Sequence, residues 1–202
     1  MNRVAVFIDA QNVFRGALDC FVPEGKPDFL GQSDPLQIGE LLASRDNPRQ
    51  DSSAPRSLEQ VRVYTGRPSS ESRSYGAHMR QCAAWESTGV LVVHRPLKYS
   101  PDGPAQEKGI DVQLAIDFVQ GAFDDTYDTG IIFSTDTDLR PALEFVATRY
   151  ESKTVETAAW LPVEGGQGVG LRLQTPATWC HRLTRDDFVA VRDLRDYTSR
   201  TK

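Results

Sequence analysis

Ile131-Ile132-Phe133-Ser134-Thr135-Asp136-Thr137-Asp138-Leu139 is the stretch that decides the fold. Its apolar run is long enough for one buried strand, it ends in two aspartates one residue apart, and a helical pattern follows over 139–149. The N-terminus has the same shape, because the apolar residues 4–8 are followed by Asp9 and Asn12. Ligands of open α/β sheets bind beyond the carboxyl ends of the strands. The two stretches therefore predict one acidic site built from distant parts of the chain.

Strand and helix patterns alternate along the rest of the chain. Further strands are predicted at 61–64, 90–93 and 153–159, with helices over 70–88 and from Asp111 onward. Such alternation indicates a parallel sheet with helices on both faces. The predicted fold class is α/β, a three-layer sandwich with a central, mostly parallel sheet.

The length of 202 residues fits one domain and is sufficient for a sizeable core. We expect a main domain over 1–160, with a loop-rich insertion at about 19–58. Residues 161–202 are expected to add a C-terminal helical extension packed on the same domain. A glycine-rich loop lies at 165–170, but it follows no first strand, so a dinucleotide-binding Rossmann domain is excluded.

Composition bounds the compartment and the chemistry. No apolar run approaches the roughly 20 residues that a membrane helix needs, and Met1-Asn2-Arg3 leads straight into a strand without room for a signal peptide. We therefore expect a cytoplasmic protein with no membrane contact. The net charge of −5 does not exclude nucleic acid, because binding depends on local basic patches rather than on the total charge.

The cysteines and histidines predict no soft-metal site. Three cysteines are an odd number and lie far apart without CxxC spacing, so reduced thiols are expected and a zinc site is not. The histidines are interpreted as structural residues that form no ligand cluster; they are His78, His94 and His181.

Four aspartates stand at the ends of predicted elements. Asp9 follows the first strand, Asp111 begins a helix, and Asp136 and Asp138 follow the fourth predicted strand. Carboxylates that share a small volume repel one another, so a cation is expected, and oxygen ligands favour Mg²⁺ or Mn²⁺ over zinc. A single aspartate at such a position is more often a turn former or helix cap than a ligand. The metal site is favoured because all four aspartates are predicted to lie on the same side of the sheet.

Other side chains near these positions have predicted supporting roles. Asn12 and Ser134 or Thr135 are placed to orient waters, and Lys108 to bind a phosphate oxygen as a point charge. Asp117 lies inside the helix that follows Asp111, six residues further on. At 3.6 residues per turn it points about 120° away, so it is expected to support the site or to form a salt bridge.

A substrate path is less clearly marked. Arg67, Lys98 and Lys108 lie in or beside loops expected at the metal end and are the best candidates for substrate contact. Tyr64 and other tyrosines are available for base stacking. For most such residues the simpler interpretation is an ordinary surface arginine or a buried tyrosine.

Three motifs together resemble the NYN domain family, a PIN-like group of metal-dependent ribonucleases. The matching stretches are Val6-Phe7-Ile8-Asp9-Ala10-Gln11-Asn12, Lys108 to Asp117, and Phe133 to Leu139 with Pro141-Ala142-Leu143. The resemblance spans residues 4 to about 160. It implies a PIN-like Rossmannoid fold, Mg²⁺ or Mn²⁺ as cofactor, and single-stranded or structured RNA as partner and substrate. It also implies an acidic quartet, formed by Asp9, Asp111, Asp136 and Asp138. Asn12 would be the polar partner of this quartet and Asp117 a frequent companion.

Two features depart from the family pattern. Thr135 stands where many members carry a small Gly or Asn, which bears on water placement. The insertion at 19–58 is longer than in compact members, which bears on the RNA that fits. The sequence leaves the oligomeric state open, with a homodimer among the alternatives.

The resemblance and the motifs together predict a metal-dependent ribonuclease, an endonuclease that hydrolyses phosphodiester bonds. The alternative is a catalytically inactive RNA- or nucleotide-binding regulatory module of the same fold. A phosphatase with an aspartyl-phosphate intermediate needs an Asp-x-Asp pair after the first strand. Gln11 stands at the second position of that pair, so the acid is missing.

Overall fold

The computed structural model describes residues 1–49, 54–99, 106–162 and 170–199. Within these ranges six strands form one sheet: β1 (Asn2–Asp9), β2 (Arg56–Arg67), β3 (Leu91–Pro96), β4 (Thr129–Phe133), β5 (Thr154–Trp160) and β6 (Trp179–Leu183). Six α-helices accompany them: α1 (Ala10–Phe21), α2 (Pro35–Ser44), α3 (Tyr75–Glu86), α4 (Ile110–Phe123), α5 (Arg140–Arg149) and α6 (Arg185–Val191). Short 3-10 helices span Asp28–Gly31 and Thr137–Leu139.

The strand order is β3-β2-β1-β4-β5-β6, and every neighbouring pair is parallel. From β1 the chain adds strands first on one side, through β2 and β3, and then on the other, through β4 to β6. The order therefore reverses between β1 and β4, and the carboxyl ends of these two strands flank a crevice. In open α/β sheets this crevice is the place where ligands bind.

Alternation along β1 explains the three layers. Val4, Val6 and Ile8 face one apolar cluster, whereas Ala5 and Phe7 face the other. The first cluster receives apolar side chains from α1, α2, α3 and α6, and the second from α4 and α5. Since both faces are covered, the central strands read as continuous apolar runs. The predicted α/β sandwich with a central sheet is confirmed, and the sheet is parallel throughout its described strands.

The predicted insertion at 19–58 contains regular structure. α1 runs into it as far as Phe21, and α2 begins where Asp34 accepts a hydrogen bond from the Leu36 backbone N–H at 3.0 Å, as expected for an N-cap. β2 begins at Arg56, five residues earlier than the predicted strand. Residues 50–53 of the insertion lie outside the described residues.

The helical extension predicted for 161–202 contains a strand as well as a helix. Residues 179–183 pair with β5 as β6, and α6 follows directly. The strand escaped prediction because a buried polar residue interrupts its apolar pattern: His181 bonds to Glu156 of β5 at 2.8 Å. Most of the glycine-rich loop at 165–170 lies outside the described residues.

No helix in the described part of the chain combines the length and the apolar character that a membrane crossing requires.

Candidate functional site

Asp9 joins the carboxyl ends of β1 and β4. Its Oδ1 accepts a hydrogen bond from the Asn12 backbone N–H at 3.1 Å, which caps α1. Its Oδ2 accepts a hydrogen bond from Ser134 Oγ, also at 3.1 Å. Asp9 is thus the helix cap that the simpler interpretation expects, and the same carboxylate also stands at the crevice between the two strands.

A chain of hydrogen bonds holds the loop after β4 in place. Asn12 Oδ1 accepts from the Thr135 backbone N–H at 3.0 Å and from Thr135 Oγ1 at 3.1 Å. Ser134 Oγ accepts from the Asp136 N–H at 3.1 Å, and Asp136 Oδ1 accepts from the Asp138 N–H at 2.9 Å. The loop conformation, and with it the position of Asp136, therefore depends on side chains from α1 and from the end of β4.

Three of the four predicted aspartates line one cavity of about 430 Å³: Asp9, Asp111 and Asp136. Asn12 and Thr135 belong to the same wall. Asp138 is exposed and lines an adjoining groove of about 700 Å³ along α4 and α5, which it shares with Asp111. The fold thus brings all four carboxylates to one end of the sheet, with Asp138 on the rim.

Asp111 reaches the cavity from the first turn of α4. Gly109, the N-cap residue, has φ of 76°, in the left-handed region that glycine adopts without a Cβ penalty. Within the described ranges, no hydrogen bond or ion pair engages the Asp111 side chain. Its carboxylate is therefore available to a ligand, and its place in the first turn is favoured by the helix dipole.

The electrostatics of the cavity favour a cation. Burial raises the pKa of Asp9, and the neighbouring carboxylates of Asp136 and Asp111 add to the rise. Burial also raises the pKa of Glu107, which lines the same cavity and feels the charges of Asp9 and Asp111. Since the pKa values of Asp9 and Glu107 are raised, a positive charge placed beside them would stabilise their ionised forms.

The donor set fits a hard divalent cation. The cavity offers carboxylate, amide and hydroxyl oxygens, the ligands that Mg²⁺ and Mn²⁺ prefer. Among the described residues, no three acidic side chains bring oxygens within 4.8 Å of one another. This spacing suits an ion held by one or two carboxylates that keeps several of its waters, as Mg²⁺ usually does.

Sequence reasoning missed four polar residues of the cavity wall: Gln11, Arg15, Asp19 and Glu107. Glu107 accepts a hydrogen bond from the Gly66 backbone N–H at 2.7 Å. In the amide orientation that satisfies both neighbours, Gln11 donates to Glu107 Oε2 and accepts from Arg15, each at 3.1 Å. The available signal was the spacing of Gln11 and Arg15, which puts both on the same face of α1 as neighbours one turn apart.

The residues predicted to bind substrate have different surroundings. Ser134 is fully buried, so it positions Asp9 and Asp136, whereas half-buried Thr135 lines the cavity. Lys98 and Lys108 are exposed and are not among the residues that line the cavity. Arg67 Nη1 lies 3.2 Å from Nε2 of His94 on β3. Substrate contact by these residues stays a prediction.

Asp117 lies in a separate polar group under β2. It accepts hydrogen bonds from Tyr64 Oη at 2.9 Å and from Gln113 Nε2 at 2.7 Å, and it lies 3.7 Å from Arg62 Nη1. Of the two roles expected for Asp117, support of the site or a salt bridge, the structure therefore shows the salt bridge. Tyr64 is fully buried, so it is not available for base stacking.

The prediction that the histidines form no ligand cluster was wrong for two of the three. His78 and His94 each offer a ring nitrogen, and Cys82 its sulfur, with all three atoms within 4.8 Å of one another. Burial lowers the pKa of His78 to about 4 and raises that of Cys82 to about 11. His181 is structural as expected, because it bonds to buried Glu156.

Comparisons with known proteins agree with this architecture. A crystal structure of a protein of unknown function, VPA0982 from Vibrio parahaemolyticus, is similar with a TM-score of 0.53 and 18% sequence identity. The similarity covers 78% of this chain and 80% of that one, and it supports the predicted PIN-like fold. No curated protein matches.

The family model of the NYN domain matches residues 3–164. NYN domains are generally nucleases, and they typically use divalent metals. The match indicates a nuclease-type function at this coarse level and extends from β1 beyond β5, so it includes all three sequence motifs. Because it spans most of the 202 residues, this chain belongs to the NYN domain family.

Proposed function

We propose that the protein is a metal-dependent ribonuclease, an endonuclease that hydrolyses RNA phosphodiester bonds with Mg²⁺ or Mn²⁺. The observation that carries the proposal is the cavity at the crevice between β1 and β4. Three motif aspartates line it, and burial together with like charge raises the pKa of one of them, Asp9. A site that concentrates negative charge in this way suits a cation better than an organic anion.

In this proposal the cation would lie among Asp9, Asp111 and Asp136, bound directly by one or two of these carboxylates and to the rest through its waters, with Glu107 and Asp19 adding further carboxylates to the same cavity. When bound, the cation supplies a water of lowered pKa and neutralises charge on the phosphate. Asn12 keeps the Thr135 loop against α1, so the carboxylates on either side keep their relative positions. Groups that are already held in the reactive geometry lower the activation barrier of the reaction.

The neighbouring groove supports a single strand as substrate. It begins at Asp111 and Asp138 and continues along α4 and α5, past Phe145 and Tyr150. Bases stack on aromatic side chains without strong sequence preference. A strand whose phosphate enters the acidic cavity would lay its adjoining bases along this groove. RNA as partner rests on the resemblance and on this geometry; a homodimer remains a prediction.

A substrate panel tests the proposal. Labelled single-stranded RNA, single-stranded DNA and duplex RNA are incubated with the protein in Mg²⁺, in Mn²⁺ and in EDTA. We expect cleavage of single-stranded RNA with metal and none with EDTA. Binding of RNA without cleavage in any metal would favour the regulatory, inactive module. Cleavage that continues in EDTA would reject the metal-dependent mechanism.

A further inference from the structure

A second cluster of ligating side chains lies between α3 and β3. His78 and Cys82 are one turn apart on α3, so they share a face of the helix, and Nε2 of His78 lies 3.5 Å from Sγ of Cys82. His94 lies on β3, the edge strand that α3 covers. The centroids of the two histidine rings are 6.4 Å apart. Two side chains of α3 and one of β3 thus meet where the helix packs on the strand.

From this arrangement we infer that His78, Cys82 and His94 form a binding site for Zn²⁺, distinct from the acidic cavity. Two imidazoles and one thiolate are a borderline-soft donor set, which selects zinc over Mg²⁺. Three protein ligands leave the fourth position of a tetrahedral ion open. The inference does not depend on the proposed nuclease activity, because it uses none of the same ligands.

The spacing of the three atoms fits this ion. Zinc–nitrogen bonds of about 2.0–2.1 Å and a zinc–sulfur bond of about 2.3 Å put tetrahedral ligands roughly 3.3–3.6 Å apart. The pair on α3 already has this spacing, at 3.5 Å. The third ligand atom is within 4.8 Å of the other two, so rotation of side chains, rather than movement of the backbone, brings it into range.

His94 also has a ring nitrogen whose hydrogen-bonding capacity is unused. Nδ1 of His94 is buried and has no hydrogen-bond partner among the described residues. Because Nε2 of the same ring accepts from Arg67, Nδ1 carries the ring proton in this arrangement. Once Arg67 leaves, the proton can move to Nε2 and Nδ1 can bind an ion. His78 also lines a cavity of about 450 Å³, which offers a path for an ion.

Arg67 is the competitor for this site. Its Nη1 lies 3.2 Å from Nε2 of His94, so the guanidinium donates a hydrogen bond to the ring and places a positive charge beside it. Metal bonding through either nitrogen of His94 requires Arg67 to leave, since a neutral imidazole bound to metal carries its proton on the other nitrogen. Zinc would thereby release Arg67, the terminal residue of β2, for other contacts.

Cobalt provides the test, since Co²⁺ replaces zinc and a cobalt–thiolate bond has a charge-transfer absorption that carboxylate ligands cannot produce. Metal-free full-length protein is titrated with Co²⁺, and Zn²⁺ is then added. We expect the band to saturate at one equivalent, to disappear with zinc, and to be lost in Cys82→Ser and in His94→Gln. Cys20→Ser, which removes a thiol elsewhere on the chain, is the matched control and should keep the band.

Arg67→Ala distinguishes a metal site from a cluster that has only a structural role. Removing the competing cation should tighten Co²⁺ binding, whereas weaker binding would overturn the inference. Absence of the band from the unaltered protein would also overturn it, as would its persistence in Cys82→Ser. Should Cys82→Ser fail to fold, the unaltered protein, His94→Gln and Arg67→Ala decide the question.

Discussion

Asn12 connects the fold to the proposed chemistry, so its truncation is the most informative substitution. Oδ1 of Asn12 accepts two hydrogen bonds from Thr135, at 3.0 Å from the backbone N–H and 3.1 Å from Oγ1. At about 1 kcal/mol each, Asn12→Ala removes roughly 2 kcal/mol. The better helix propensity of alanine returns up to about 0.7 kcal/mol. The net loss is therefore about 1.5 kcal/mol, or roughly 3–6 °C in Tm for a chain of this size.

A double-mutant cycle isolates the contact. Thr135→Ala removes only the hydroxyl bond and should cost about 1 kcal/mol. Added to Asn12→Ala it should cost almost nothing more, which gives a coupling energy of about 1 kcal/mol. Urea unfolding of the four proteins measures these values. Additive effects would show that the two side chains do not interact as described.

The same variants test the link to activity. If Asn12 holds the loop that carries Asp136, its loss lets that carboxylate shift, and a displacement of about 1 Å can cost on the order of 100-fold in rate. We expect Asn12→Ala to slow RNA cleavage by about that factor, and Thr135→Ala to slow it less because the backbone bond remains. Equal rates in Asn12→Ala and the unaltered protein would refute the positioning role.

The remaining predictions concern charge. Asp9→Asn should raise Tm in EDTA. Burial and the charge of Asp111 raise the pKa of Asp9, so the ionised carboxylate destabilises the folded protein at neutral pH. Thermal melts measure this, and a lower Tm would contradict it. Glu156→Gln should lower the free energy of unfolding, measured in urea, by about 3–5 kcal/mol. The reason is that the buried carboxylate pairs with Arg56 at 2.9 Å and with His181 at 2.8 Å. A loss below about 1 kcal/mol would contradict this. The pKa of Glu156 is lowered from 4.5 to about 2, so its contribution is complete above pH 4.5 and should be lost as the pH falls towards 2, and the Glu156→Gln variant should lack this acid dependence.

The alternating layers could be predicted because the pattern is local. Residues 4–8 and 131–133 are apolar without interruption, as strands covered on both faces must be. Asp9 follows the first run directly, and Asp136 follows the second three residues later. The crevice at the carboxyl ends follows from parallel strands alone. The placement of Asp9, Asp111 and Asp136 at one end of the sheet could therefore be predicted from the sequence.

What escaped prediction depends on contacts between distant segments. Cys82 and His94 are twelve positions apart, and only the packing of α3 on β3 brings them together. Glu107 carries no local signal that distinguishes a cavity wall from an exposed loop. His181 interrupts the apolar pattern of β6, and its burial makes sense only once Glu156 is seen opposite it.

In the proposed mechanism, carboxylates from separate motifs hold one catalytic cation. The most direct measurement is the initial rate of single-stranded RNA cleavage in Mn²⁺ by Asp136→Asn, with the exposed Asp124→Asn as the control for loss of one negative charge. We expect Asp136→Asn to be folded but inactive, while Asp124→Asn retains the parent rate. An Asp136→Asn protein that cleaves RNA as fast as the parent would contradict it.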